Sequence, residues 1–230
     1  MILRAGILVF PGTNCERDTY YALSERVGIQ TDLLWYASVD SFEDYGLVVI
    51  PGGFSFGDYL RAGKLAALTP VIERLREFER TGGLILGICN GFQILTEAGL
   101  VSGTLLKNKN GRFISKWCYV RVEDNTTPFT NMFENGEVCK LPIAHFNGAY
   151  YYNKEDKPNV VFRYCSPDGE PLEAYNPDGT MDNIAGVVSR SRRICGIMPH
   201  PERAVEVVLG SSDGMKIFLS ILNYLEKCRG

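Results

Sequence analysis

The sequence predicts an α/β fold: a mainly parallel open sheet with helices on both faces, and an antiparallel extension in its second half. Three observations carry this. Short apolar runs alternate with helix signals through the first half of the chain, in the order β-α-β-α that crossover units require. The runs stop at turn residues, as at Pro11-Gly12 and Pro51-Gly52-Gly53. In the second half the helix signals fade, and short strands are separated by Pro, Gly, Asn and Asp turns. With 230 residues, 45% of them apolar, the chain can bury a large core and is read as one domain over residues 1–230.

Residues 2–10 are an apolar run ended by Pro11-Gly12, a buried strand and its turn. Thr13-x-x-Glu16 has the capping-box pattern, so a helix is expected from there to about Val27-Gly28. Residues 31–35 and Leu47-Val48-Val49-Ile50 give the next strands. Thr69-Pro70 starts a helix, with Thr as cap and Pro in the first turn, and Val71, Leu75 and Phe78 form its stripe. Leu84-Ile85-Leu86-Gly87-Ile88 is a fourth strand, followed by a helix from Gly91 to about Ala98. Residues 117–122, 138–144, 160–164, 184–188 and 194–198 read as sheet extension and hairpins. The last helix has Asp213 as its expected cap and Ile217, Ile221, Leu222 and Leu225 as its apolar stripe.

A formal net charge of −3 argues against nucleic-acid binding, which needs clustered Lys and Arg. The longest basic cluster, Arg190-Ser191-Arg192-Arg193, reads as a solvated turn. Seven cysteines, an odd number with no Cys-x-x-Cys pair, argue against a disulfide framework or a zinc ribbon and for a reducing compartment. No apolar run reaches membrane-spanning length, and the N-terminal run is too short for a signal peptide. The expected setting is cytoplasmic, with no membrane partner.

The strongest chemical signal is Gly87-Ile88-Cys89-Asn90-Gly91. It joins a strand directly to a helix, the kind of sharp turn that exposes a nucleophile, with small residues two positions either side. The helix start offers free N–H donors and a positive dipole end, which favour a thiolate and an oxyanion. A buried structural role is the commoner fate of cysteine, but the glycine frame favours a nucleophile. The chain has only two histidines for a base. His200 lies in Met198-Pro199-His200-Pro201-Glu202, where the following proline favours extended backbone. In extended chain Glu202 falls on the same side as His200 and can orient it as a triad acid. His145 has no acid close in sequence and is read either as lining the same cleft or as structural. Gly53, after its strand, and Asn90 could supply two backbone N–H groups to an oxyanion hole. Gly52-Gly53 is also a turn whose peptide can rotate at little steric cost. No phosphate loop, dinucleotide fingerprint or metal pattern is present: residues 57–64 have one residue too many and are followed by Leu65. No ATP, NAD or metal site is expected on this chain.

At these residues the sequence resembles the class I (triad) glutamine amidotransferase family, over nearly its whole length. The resemblance narrows to the glutaminase subunits of phosphoribosylformylglycinamidine synthases. That narrowing rests on Pro11-Gly12-Thr13-Asn14-Cys15, on residues 52–63 and 87–93, and on Met198-Pro199-His200-Pro201-Glu202-Arg203. The resemblance implies Cys89 as nucleophile, His200 and Glu202 completing the triad, and an oxyanion hole from the backbones of Gly53 and Asn90. It also implies Gln93 as a residue that helps hold glutamine. It further implies a synthetase partner that carries ATP and magnesium, and leaves open whether a further small subunit joins them. Where the family commonly has His-Gly-Glu-Gly, this chain has His145-Phe146-Asn147-Gly148, and His145 is not counted as catalytic. The rival readings are a cysteine peptidase or chaperone-like relative on the same fold, an amidotransferase serving another synthetase, and a non-catalytic regulatory subunit.

Overall fold

A computed structural model describes residues 2–228. Its main sheet has nine strands in the order β2-β1-β3-β4-β11-β10-β9-β6-β7. The first four in chain order are β1 (Arg4–Val9), β2 (Gln30–Trp35), β3 (Leu47–Ile50) and β4 (Leu84–Ile88). They pair in parallel, and β11 (Ile194–Ile197) joins them in parallel beside β4. From β11 outward every pair is antiparallel, through β10 (Ile184–Val188), β9 (Asn159–Cys165), β6 (Ile114–Val122) and β7 (Val138–His145). The parallel sheet and its antiparallel extension are thus as expected, with one change. The 194–198 run is a hairpin partner of β10 and also the fifth parallel strand, inserted at the centre of the sheet. β5 (Thr104–Leu106) and β8 (Ala149–Tyr151) form a separate two-stranded ribbon with no signal in the sequence strong enough to find it.

β3 and β4 are apolar at every position because both faces of a parallel sheet are covered. α1 (Glu16–Tyr20) leads from β1 to β2, and α3 (Val71–Arg80) from β3 to β4. These crossovers run in opposite directions along the sheet, so the right-handed rule puts the two helices on opposite faces. α1 widens into a π-helical stretch, Tyr21–Val27, which packs against α5 (Met215–Lys227). The one-turn helix α2 (Lys64–Ala67) packs against α4 (Asn90–Glu97).

Three expected caps are used otherwise. The Thr13 hydroxyl accepts the Phe10 N–H at 3.0 Å, and Thr13 bridges to Gly53, so α1 starts after Cys15 instead. The Thr69 hydroxyl donates back to the Ala66 carbonyl at 2.6 Å. Asp213 accepts the Lys140 N–H at 2.7 Å, tying α5 to β7. The two threonine hydroxyls bond backbone three residues behind them, and Asp213 makes a tertiary contact, so none of the three side chains caps its helix.

Candidate active site

Three neighbouring parallel strands end at one edge of the sheet. β3 leads into Pro51-Gly52-Gly53, β4 into Cys89, and β11 into Pro199-His200. Their register sets Ile50 beside Gly87 and Ile88 beside Ile197. Ligand sites of open α/β sheets lie beyond the carboxyl ends of such strands.

Cys89 occupies the strand-to-helix turn with φ 51° and ψ −103°, a conformation costly for any L-residue, and α4 begins at the next residue. The glycine frame has a steric cause. A Cβ on Gly91 would lie 1.9 Å from the Ile50 carbonyl oxygen, and one on Gly87 would lie 2.7 Å from the Gly91 carbonyl carbon. The Cys89 N–H is anchored to the Ile197 carbonyl at 2.8 Å, so β11 holds the elbow directly.

His200 and Glu202 meet as expected, with Nδ1 and Oε1 2.6 Å apart and both side chains buried. The local reason differs from the expectation. His200 itself is non-helical (φ −102°, ψ 88°), but Pro201–Arg203 is a 3₁₀ turn, and that turn swings Glu202 back onto the ring. The His200 N–H donates to the Pro142 carbonyl of β7 at 2.8 Å. Burial alone would lower the imidazole. The Glu202 and Cys89 charges and the contacts with the Cys15 and Cys89 thiols outweigh it, and the ring is held well above its ordinary value. Nδ1 is committed to Glu202, while Nε2 is buried with no hydrogen-bond partner among the described residues.

The Gly52 carbonyl accepts two N–H donors, from Asn14 and Cys15, each at 3.1 Å. In a trans peptide the C=O and the following N–H point in opposite directions. The Gly53 N–H therefore points away from residues 14 and 15. Gly53 has φ +150°, and a Cβ there would lie 2.7 Å from the Asn14 nitrogen. The Gly52 position is equally tight: a Cβ would sit 2.7 Å from His200 Cε1 and 3.0 Å from Cys15 Sγ.

Gln93 is buried on α4. Its Oε1 accepts from Asn90 Nδ2 at 2.8 Å, and its Nε2 donates to the Asn147 carbonyl at 2.7 Å. The amide thus bridges α4 to the 145–148 turn. Because Asn147 is held through its carbonyl, this bond is indifferent to the side chain that departs from the family pattern. His145 takes the structural alternative. Nδ1 lies 3.1 Å from Asn108 Oδ1 and Nε2 3.6 Å from the buried Asp178, and burial, helped by the His200 charge, pushes the ring down to about 3.

Sequence reading missed two residues that contact this group, one beside His200 and one beside Asn90. Cys15 Sγ lies 4.0 Å from His200 Nδ1, and Arg203 Nη2 donates to that sulfur at 3.1 Å while its Nε pairs with Asp18 at 3.0 Å. Asp58 lies 3.3 Å from Asn90 Nδ2. Both contacts are long-range, and the only sequence signal was that Cys15 and Asp58 fall inside the motifs that carry the family resemblance. Cys15, His200 and Glu202 present ligand atoms within 4.8 Å of one another. The short His200–Glu202 bond and the Arg203 cation on the thiol both oppose a metal ion there. Two cavities of about 810 Å³ each flank the site. One is lined by His200, Glu202, Ala144 and Trp117, the other by Phe54, Asp58, Phe146 and Asn147.

The family model of the CobB/CobQ-like glutamine amidotransferase domain matches residues 3–224. Curated relatives described as phosphoribosylformylglycinamidine synthase subunit PurQ are 46% identical in Moorella thermoacetica and 49% in Symbiobacterium thermophilum. The alignments cover 98% of both chains in the first case and 97% of both in the second. A chain of the PurLQS structure from Thermotoga maritima superposes with a TM-score of 0.89 at 47% identity, over 98% of this chain and 100% of that one. A glutamine amidotransferase from the same organism, at 20% identity and a TM-score of 0.60, shares the fold. With identity this high along almost the entire length, the chain belongs to the glutamine amidotransferase family, in the branch of the PurQ subunits of phosphoribosylformylglycinamidine synthase.

Proposed function

We propose that this chain is the glutaminase of a phosphoribosylformylglycinamidine synthase. It hydrolyses the side-chain amide of glutamine and passes the ammonia to a synthetase subunit. That partner carries ATP and magnesium and amidates formylglycinamide ribonucleotide in the cytoplasm. The observation that carries the reading is the convergence of Cys89, the His200–Glu202 pair and the Gly53 turn at the ends of three adjacent parallel strands.

Each residue has a step. Cys89 gives its proton to His200 Nε2 and attacks the amide carbonyl carbon. The Gly53 and Asn90 N–H groups receive the developing oxyanion, a contribution of about 10²–10³ in rate for each donor. As the tetrahedral species collapses, the C–N bond breaks and His200 returns its proton to the departing ammonia. The ring then takes a proton from water, whose oxygen attacks the thioester, and the thiol leaves with that proton. Glutamine and water become glutamate and ammonia. Glu202 keeps Nδ1 protonated and stabilises the imidazolium, in accord with a ring held above its ordinary value. Gln93 holds the 145–148 turn that walls the glutamine site.

The test is a reconstituted complex assayed with glutamine and, separately, with ammonium. Cys89→Ala should abolish glutamine-dependent synthesis and leave ammonium-dependent synthesis intact. Glutamine-dependent synthesis by that variant would overturn the nucleophile assignment. A complex that amidates a different acceptor would favour an amidotransferase of another synthetase.

A further inference from the structure

Asp58 lies in a loop, residues 54–63, with an unusual backbone. Phe56, Asp58 and Leu60 all have left-handed φ, at 52°, 55° and 68°. Tyr59 and Leu60 face solvent, 74% and 79% exposed, while Asp58 is turned inward against α4. Non-glycine residues adopt this conformation at a cost and persist in it where the surroundings over-determine them. For Asp58 the surroundings include the carboxamide of Asn90.

That carboxamide is fully used. Oδ1 accepts the Ser55 N–H at 3.0 Å. Nδ2 has two hydrogens, and it has two acceptors: Gln93 Oε1 at 2.8 Å and Asp58 Oδ1 at 3.3 Å. Ser55 is two residues beyond Gly53, so the Asn90 side chain ties the Gly53 turn to the start of α4. A carboxylate can only accept, and it thereby fixes which end of the amide faces Ser55. Burial pushes the Asp58 carboxyl up to about 6, which leaves it an anion at neutral pH. Of the cations near it, Arg61 is paired with Glu97 at 2.6 Å and Lys107 lies over the Phe146 ring.

We infer that Asp58 is a positioning residue for amide hydrolysis: it orients the Asn90 carboxamide, which holds the Gly53 and Asn90 N–H groups at their working separation. This rests on the glutaminase reading above. Asp58 touches neither the nucleophile nor the base. It acts through Asn90 on the oxyanion hole, so its loss should appear in kcat, because the donors matter most in the transition state.

The experiment uses the complex with its synthetase and compares Asp58→Gly, Asp58→Asn, Asn90→Ala and the Asp58→Gly/Asn90→Ala double variant. Glycine accepts the left-handed backbone, so Asp58→Gly removes the acceptor without straining the loop. Ammonium-dependent synthesis reports that each complex is assembled. Asp58→Gly should lower kcat for glutamine about tenfold to a hundredfold, the range for a hydrogen bond to a charged group, with KM within about threefold. Asp58→Asn, which keeps an acceptor oxygen, should recover most of that loss. The double variant should match Asn90→Ala, because residues that act as one unit are not additive. Three results would overturn the inference: full activity in Asp58→Gly, additive losses in the double variant, or a rise in KM alone, which would make Asp58 a direct contact to glutamine. A wild-type complex that releases no ammonia from glutamine would instead overturn the glutaminase reading.

Discussion

The N–H of Cys15 donates to the Gly52 carbonyl at 3.1 Å, and the Cys15 sulfur lies 4.0 Å from His200 Nδ1. One residue at the start of α1 thus touches both the Gly52-Gly53 turn and the His200 ring. Turning the Gly52–Gly53 peptide is sterically easy for glycine, but it would break the bonds from Asn14 and Cys15. Two such bonds are worth about 1–3 kcal/mol together, enough to favour the observed orientation strongly.

Gly52→Ala should remove glutaminase activity by displacing the base. The added methyl would stand 2.7 Å from His200 Cε1 and 3.0 Å from Cys15 Sγ. A loss of about 10² or more in glutamine-dependent kcat is expected, from a misplacement on the order of 1 Å. Steady-state ammonia release checks it, and activity within threefold of wild type would show that the cluster yields without cost.

The strained elbow makes a stability prediction. Cys89→Gly should be more stable than Cys89→Ala by about 1–2 kcal/mol, the reverse of the usual order, because only glycine relaxes at φ 51°. Both variants should be inactive with glutamine. Urea unfolding of the two proteins decides it, and an alanine variant of equal or greater stability would mean that the turn is not strained.

The bounds of β3 and β4, the place of Cys89 at a strand-helix turn and the meeting of His200 with Glu202 were all legible in the sequence. Apolar runs between glycine turns, and a glycine-framed cysteine at a strand-helix junction, are local signals. Thr13, Thr69 and Asp213 misled because a capping side chain reads the same whether it serves its own helix, the turn behind it, as Thr13 and Thr69 do, or a distant strand, as Asp213 does. The Glu202 contact was expected from extended backbone, yet a 3₁₀ turn makes it. Asp58 and Cys15 had no chemical signal at all, since their partners lie far along the chain.

Asp178 predicts a pH dependence of stability. Burial pushes its carboxyl up to about 6, against the pull of the Thr180 N–H. The folded state therefore holds the proton more tightly than the unfolded chain, whose value is about 3.9. The resulting stabilisation is present below about pH 4 and is lost as the pH rises through 6, on the order of 2–3 kcal/mol. Asp178→Asn should flatten that fall. Unfolding free energies at pH 4, 5, 6 and 7 test it, and identical slopes in variant and wild type would remove Asp178 as the cause.

The exposed tip of the 54–63 loop predicts partner dependence. Tyr59 and Leu60 present apolar surface beside a cavity that reaches Asp58 and Asn147. Ammonia release at saturating glutamine should rise more than about tenfold when the synthetase is added, the scale of restoring part of one oxyanion donor. The double variant Tyr59→Ser/Leu60→Gly should lose most of that stimulation and keep the rate of the isolated chain. Equal turnover with and without synthetase would mean that the partner does not set the site.

The insertion of β11 beside β4 has a consequence for the chain as it is made. β4 and the elbow emerge early, but their neighbour arrives only when the second half has been synthesised. Until then β4 has an unpaired edge, apolar on both faces, of the kind that recruits other strands. His200, the base of the proposed reaction, also follows β11 in the chain. A nascent or truncated chain ending before Ile194 is therefore expected to be inert toward glutamine and prone to aggregate, because one late strand both seals the sheet and leads into His200.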